Sequence, residues 1–172
     1  MSRVHRLPAA LAALALCAAL ASPAAAQTTA SASIQAIAFV QGVAPITATG
    51  VNDLNFGTVF AGATTGLTNL ASQAGRFDIA GEPAASVSVS FTLPVTLAGP
   101  GGSIPISFGI ADGLEWNPFP GSSTTFNPNV PYLTALSGAG VLTIGIAGSV
   151  APPAGTTTGN YTGTITLTVS YL

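Results

Sequence analysis

Gly159-Asn-Tyr-Thr-Gly-Thr-Ile-Thr-Leu-Thr-Val-Ser-Tyr-Leu172 is the stretch that decides the fold. Tyr161, Gly163, Ile165, Leu167, Val169 and Tyr171 alternate without a break with Thr162, Thr164, Thr166, Thr168 and Ser170. A side-chain period of two belongs to a half-buried β-strand, because successive Cβ atoms point to opposite faces. Read as one strand from Tyr161 to Tyr171, it would extend roughly 36 Å at about 3.3 Å per residue. It holds no charge and no proline. Left bare, its unpaired N–H and C=O groups would template pairing with another chain, so the strand is expected to be central, covered or completed by a partner. The odd-numbered residues are assigned to the core and the backbone edge to assembly.

Working outward, the opposite end reads as a targeting segment. Arg3, His5 and Arg6 precede an apolar run from Ala9 to Ala21, and Ala24-Ala25-Ala26 offers a small-residue cleavage site before Gln27. Residues 1–26 are expected to be a secretory signal peptide, since about thirteen apolar residues fall short of the roughly 20 that span a bilayer. Export to the periplasm, the cell surface or beyond is the implied destination, with no membrane span after cleavage. Residues 27–172 are expected to form a single domain, in which residues 27–43 are an N-terminal extension.

Beyond Gln27 the chain retains Arg76 as its one basic residue, against Asp53, Asp78, Glu82, Asp112 and Glu115. That balance argues against nucleic acid as a partner, because phosphate neutralisation needs clustered Lys and Arg. His5 and Cys17 lie in the signal segment and the chain has no lysine. Residues 27–172 therefore lack the usual general base and the thiol and amine nucleophiles, so no enzyme and no cofactor are expected. Without cysteine there is also no disulfide to staple the fold. Weak net repulsion removes one defence against self-association.

Further strands are expected at Asp53–Phe60, where Leu54, Phe56, Thr58 and Phe60 alternate, and at Arg76–Ala80, with Phe77 and Ile79 inward and Arg76 paired to Asp78 outside. Ser86–Leu93 alternates as cleanly as the C-terminal stretch, with Val87, Val89, Phe91 and Leu93 on one face. Glu82-Pro83 and Gly99-Pro100-Gly101-Gly102 read as turns. Ile104–Ile110 resumes a strand, in which Pro105 lacks a ladder donor and points to a strand start or sheet edge. Gly140–Val150 reads as one more strand. Gln27–Val40 is β-permissive, with Ile34, Ala36, Ala38 and Val40 on one parity and Ile37 and Phe39 on the other, so its register is ambiguous. About seven strands with turns every 8–12 residues predict an antiparallel, immunoglobulin-like β-sandwich.

Residues 111–133 break the pattern and read as a turn-rich excursion. Trp116, Phe119, Phe126 and Tyr132 in it form either a patch for a glycan or protein or a loop packed on its own aromatics. Asp112 and Glu115, three apart, either sit in a solvated turn or ligate calcium, although the spacing of a calcium loop is lacking. Asn160-Tyr161-Thr162 matches a glycosylation acceptor.

Leu54-Asn55-Phe56-Gly57-Thr58-Val59, Phe77-Asp78-Ile79-Ala80-Gly81-Glu82-Pro83, Gly159 to Gly163 and Val169-Ser170-Tyr171 together resemble the bacterial secreted family called domain of unknown function 4402. That family is similar to spore coat protein U and to subunits of chaperone-usher pili. The resemblance implies an incomplete immunoglobulin-like sandwich completed by strand donation from a like subunit, with a periplasmic chaperone and usher as further partners. In pilins a terminal strand with a penultimate Tyr and a Gly fourteenth from the end pairs with the chaperone, positions that Tyr171 and Gly159 match here. The donor strand would lie within residues 28–40, on Ile34, Ala36, Ala38 and Val40. A fimbrial or coat subunit active in assembly or adhesion is the expectation. The alternatives are a self-complete sandwich that binds a ligand through residues 111–133, and an outer-membrane barrel, which would want aromatic girdles at its strand ends.

Overall fold

A computed structural model describes residues 31–39, 42–117 and 122–172. The chain divides into two compact units, Met1–Val40 and Gln41–Leu172. In the first, residues 31–39 form neither strand nor helix and are exposed. The strand expected at Gln27–Val40 is therefore not formed over these residues. A lone segment with apolar residues on both parities has no sheet to select its register. The signal segment, residues 27–30, Val40 and Phe119 lie outside the described residues.

The second unit is all β, with twelve strands in three antiparallel sheets rather than about seven strands. β1 (Thr47–Asn52), β3 (Gly75–Ala80), β10 (Val141–Ile146), β7 (Gly113–Asn117) and β8 (Ser122–Phe126) make a five-stranded sheet in the order β1-β3-β10-β7-β8. A three-stranded sheet, β12-β4-β9, joins β12 (Thr166–Tyr171), β4 (Ser86–Thr92) and β9 (Tyr132–Ala135). β2 (Thr65–Leu67), β11 (Gly148–Val150), β6 (Gly102–Ser107) and β5 (Thr96–Gly99) form the third sheet, β2-β11-β6-β5. No helix among the described residues is long and apolar enough to cross a membrane.

The first two sheets pack face to face as a β-sandwich. Ile79 of β3, Leu142 and Ile144 of β10 and Phe126 of β8 meet Val87 and Val89 of β4 in the core, joined by Leu136. Directly opposed residues share a face, so Ile79↔Leu142 and Phe77↔Ile144 form inward rows. Phe91 bridges the sheets, with its ring centroid 6.0 Å from Phe77 and 6.4 Å from Phe126. Burying each aliphatic side chain of this cluster contributes about 1.5–3 kcal/mol.

Ser86–Leu93 and Arg76–Ala80 form where their alternation places them, and Arg76 Nη2 lies 3.5 Å from Asp78 Oδ2 on the outer face. The Gly99–Gly102 turn closes the β5–β6 hairpin, with Pro100 followed by Gly101 at φ +79°, the backbone sign that a type II turn demands at its third residue. Other expectations need correction. Asp53–Phe60 is not a strand: the Asn55 side chain accepts from Gly57 N at 2.8 Å, and Gly57 sits at φ +64°, so a local turn wins over the alternation. The strand of that region is β1, just upstream. Pro105 is neither a strand start nor on an edge strand, because β6 lies between β5 and β11. It is tolerated where the ladder with β11 runs out, and its carbonyl still accepts from Ala151 N at 3.2 Å.

Gly140–Val150 is two strands. β10 serves the sandwich and β11 the third sheet, with buried Ala147 between them donating its N–H to Asp112 O at 2.8 Å. Residues 111–133 contain the β7–β8 hairpin and the start of β9 where irregular chain was expected. The C-terminal stretch is shorter than its eleven-residue pattern: β12 covers six residues, while Thr162 pairs with Ala98 of β5. Residues 162–171 thus pass from one sheet to another, and from Ile165 onward the odd-numbered residues are the half-buried ones.

Candidate functional site

β12 and β1 are edge strands of the two facing sheets, and they lie beside one another. β12 pairs with β4 from Thr166↔Thr92 to Tyr171↔Val87, and no strand among the described residues pairs its other edge. Leu167, Val169 and Tyr171 face the core but are only half-buried. Across from them, Ala48 and Gly50 of β1 stand opposite Ile79 and Phe77 and so share the core-facing side, yet all six β1 residues are exposed. The core therefore thins along this seam. Half-buried Ile46, Phe77 and Phe91 pack along the same apolar seam, beside the unpaired backbone edge of β12.

One end of the seam is clasped by Tyr171. Its hydroxyl donates to Ala44 O at 2.6 Å and accepts from Glu82 N at 2.7 Å, while the Glu82 carboxylate accepts from Ala44 N at 2.9 Å. A Cβ on Gly81 would collide with that hydroxyl. Gly81-Glu82 thus forms a socket: Gly81 leaves room, and Glu82 supplies a donor and an acceptor. Tyr171 thus ties β12 to Ala44, just ahead of β1, and to Glu82.

The remaining assembly-strand residues act at the other end. The Tyr161 hydroxyl lies 2.7 Å from Pro100 O and 2.8 Å from Thr157 O. A Cβ at Gly159 would stand 2.5 Å from Pro100 Cγ, and one at Gly163 would stand 2.8 Å from Leu97 Cδ2. Both glycines let residues 159–163 lie flat against β5. Ile165 is half-buried just before β12. Of the donor residues expected, Ile34, Ala36 and Ala38 are exposed, as are Ile37 and Phe39, and Ile34, Ile37 and Phe39 are at least 86% exposed.

The aromatic residues of the expected ligand loop separate. Phe126 is buried and stacks on Tyr132 with centroids 4.1 Å apart and planes 11° apart, inside the sandwich. Trp116 opposes Thr143 and Ser123 on the outer face of the five-stranded sheet and remains 46% exposed. Asp112 and Glu115 part as well. Asp112 Oδ2 accepts from Gly109 N at 2.6 Å, whereas Glu115 Oε2 accepts from Tyr132 Oη at 2.8 Å and Thr134 Oγ1 at 2.7 Å. Burial first, then the hydrogen bond and charge of Glu115, push the Tyr132 hydroxyl up to about 12. Among the described residues no group of three or more His, Cys, Asp or Glu is placed to hold a metal.

Sequence reasoning missed Ile46, Ala48 and Gly50 as the β1 side of the seam. The signal is present in Thr47 and Thr49 alternating with Ala48 and Gly50, but small residues make a faint stripe.

Fold and topology define an antiparallel β-sandwich protein whose β12 is an edge strand, unpaired on one side among the described residues. The family model described as Domain of unknown function (DUF4402) matches residues 45–171, and the chain belongs to that family. No curated protein matches it.

Proposed function

We propose that this protein is an exported, non-enzymatic structural subunit, with an incomplete immunoglobulin-like sandwich that assembles on the cell surface by β-strand exchange, as pilin-like and coat-like subunits do. One observation carries the reading: the open edge of β12 coincides with the place where core-facing Leu167 and Val169 are only half-buried and Ala48 and Gly50 are exposed. An added strand there would satisfy backbone groups and cover apolar surface at once. The occupant is the N-terminal segment of a second copy, whose Ile34, Ala36 and Ala38 share one strand parity and are exposed. Burying Ile34 on that face would contribute about 1.5–3 kcal/mol. Lack of His, Cys and Lys after residue 26 supports a non-catalytic role. Like subunits are the principal partners, and a periplasmic chaperone would cover the same edge before assembly.

Purified protein lacking residues 1–26 is expected to run as an SDS-resistant ladder that collapses to monomer on boiling. Deleting residues 27–41 abolishes the ladder. Monomer from both proteins at all concentrations sinks the proposal.

A further inference from the structure

The outer face of the five-stranded sheet carries a second feature, independent of the seam. Asn52, Arg76, Leu114, Trp116, Ser123 and Thr143 line an open cleft of about 390 Å³, a volume within the range of small-ligand sites. Its floor is low because Gly145 projects no side chain there, where a Cβ would stand 3.5 Å from Leu114 Cβ. One wall is the turn from Asn69 to Ala74, held by Asn69 Nδ2 to Ala111 O at 2.9 Å, Ala74 N to Ala71 O at 3.0 Å and Asn55 N to Gln73 O at 2.9 Å. The wall exists before any ligand arrives.

We infer that this cleft binds a neutral saccharide, with Trp116 as the stacking platform and Arg76, Asn52, Ser123 and Thr143 as the polar contacts. An indole face presents negative π-density, which attracts the weakly positive C–H face of a pyranose. Trp116 is the single tryptophan of the chain, and it is left 46% exposed although it could have entered a core. Polar partners surround it on the same face. Thr143 opposes Trp116 in the ladder and donates through Oγ1 to Asp78 Oδ1 at 2.8 Å. Asp78 Oδ2 lies 3.5 Å from Arg76 Nη2, with both side chains about half exposed. Asp78 is thus a positioning residue: it orients Thr143 and Arg76, and most of the five N–H donors of the guanidinium remain for hydroxyl groups.

Charge selects the ligand class. Arg76 is the only cation lining the cleft and Asp78 neutralises it, so a polyanion meets no net attraction. A molecule with an apolar face and a rim of hydroxyls fits better than a charged one. Peptides are less suited, because the hydrogen-bonding groups here are side chains on a sheet face rather than an open backbone edge.

The test uses Trp116 as its own reporter. Protein lacking residues 1–26 is titrated with cellohexaose, maltohexaose, xylohexaose, mannohexaose and chitohexaose in its N-acetylated form, with polygalacturonate as the polyanion arm. At least one neutral oligosaccharide is expected to give a saturable emission shift that persists at high salt. Arg76→Ala and Asn52→Ala, each checked for an unchanged circular-dichroism spectrum, should weaken it by about tenfold, as loss of a hydrogen bond to a charged or polar contact implies. No saturable shift with any neutral sugar overturns the inference. A shift confined to polygalacturonate and erased by salt, or an affinity unchanged in both variants, overturns it equally.

Discussion

Replacing Tyr171 by Phe removes one oxygen and nothing else from the packed ring, which makes it a direct test of the C-terminal clasp. The hydroxyl serves two backbone groups, Ala44 O at 2.6 Å and Glu82 N at 2.7 Å, in partly buried surroundings. Stranding a buried donor or acceptor costs about 1–3 kcal/mol, and partial water access at this site favours the lower half of that range for each group. A combined loss of about 2–3 kcal/mol corresponds to a fall in Tm of about 6–10 °C for a unit of this size. Gly81→Ala provides the complementary perturbation, since its Cβ would strike the same hydroxyl. In the Tyr171→Phe background the collision with the hydroxyl is gone, although Leu136 Cδ1 at 3.0 Å and the ring Cζ at 3.3 Å remain to give way. The two changes should therefore couple by about 1 kcal/mol or more, whereas independent sites add within about 0.3–0.5 kcal/mol. Urea melts of the four proteins measure the cycle, and limited proteolysis across residues 42–46 should quicken in Tyr171→Phe as the tether at Ala44 is lost. Strict additivity, or Tyr171→Phe melting with the parent protein, refutes the clasp.

Tyr132 should make the protein alkali-sensitive in a defined window. Its hydroxyl pKa rises from an unfolded value near 10 to about 12 in the fold, so the folded state holds the proton longer and stability falls as pH climbs from about 10 to about 12. Glu115→Gln removes the neighbouring charge and should bring the titration, followed at the tyrosinate absorbance, back toward 10; an unmoved midpoint would contradict the contact. Ala84 sits at φ +56° after Pro83, a conformation that costs a non-glycine residue about 1 kcal/mol. Ala84→Gly is expected to raise stability by up to about 1 kcal/mol in a urea melt, and a loss would show that the strain is absent.

Much of the sandwich was legible because its strands are one-sided. Val87 and Val89 against Ser86 and Ser88, and Leu167 and Val169 against Thr166 and Thr168, announce both strand and inward face. The β7–β8 hairpin was hidden because Gly113, Pro118 and Pro120 crowd the same stretch with turn residues, and propensity is overridden there by pairing with β10. Asp53–Phe60 failed the other way: its alternation is real, but the Asn55–Gly57 turn is a local hydrogen bond that needs no partner strand.

The last fourteen residues by themselves determined that their odd positions face a core, that the segment carries no charge to guard its edge, and that Gly159 and Tyr171 stand at fixed offsets. Period and composition are local properties, and the chain states them outright. Only the tertiary structure decided that the pattern is shared between β5 and β4, that β12 stops at six residues, and that Tyr171 reaches Ala44 and Glu82. Likewise only folding set Trp116 on the outer face of the five-stranded sheet and Phe126 with Tyr132 inside the sandwich. Those outcomes depend on which strands become neighbours across more than a hundred residues of chain, and a side-chain period, identical for an edge and a central strand, carries no record of that choice.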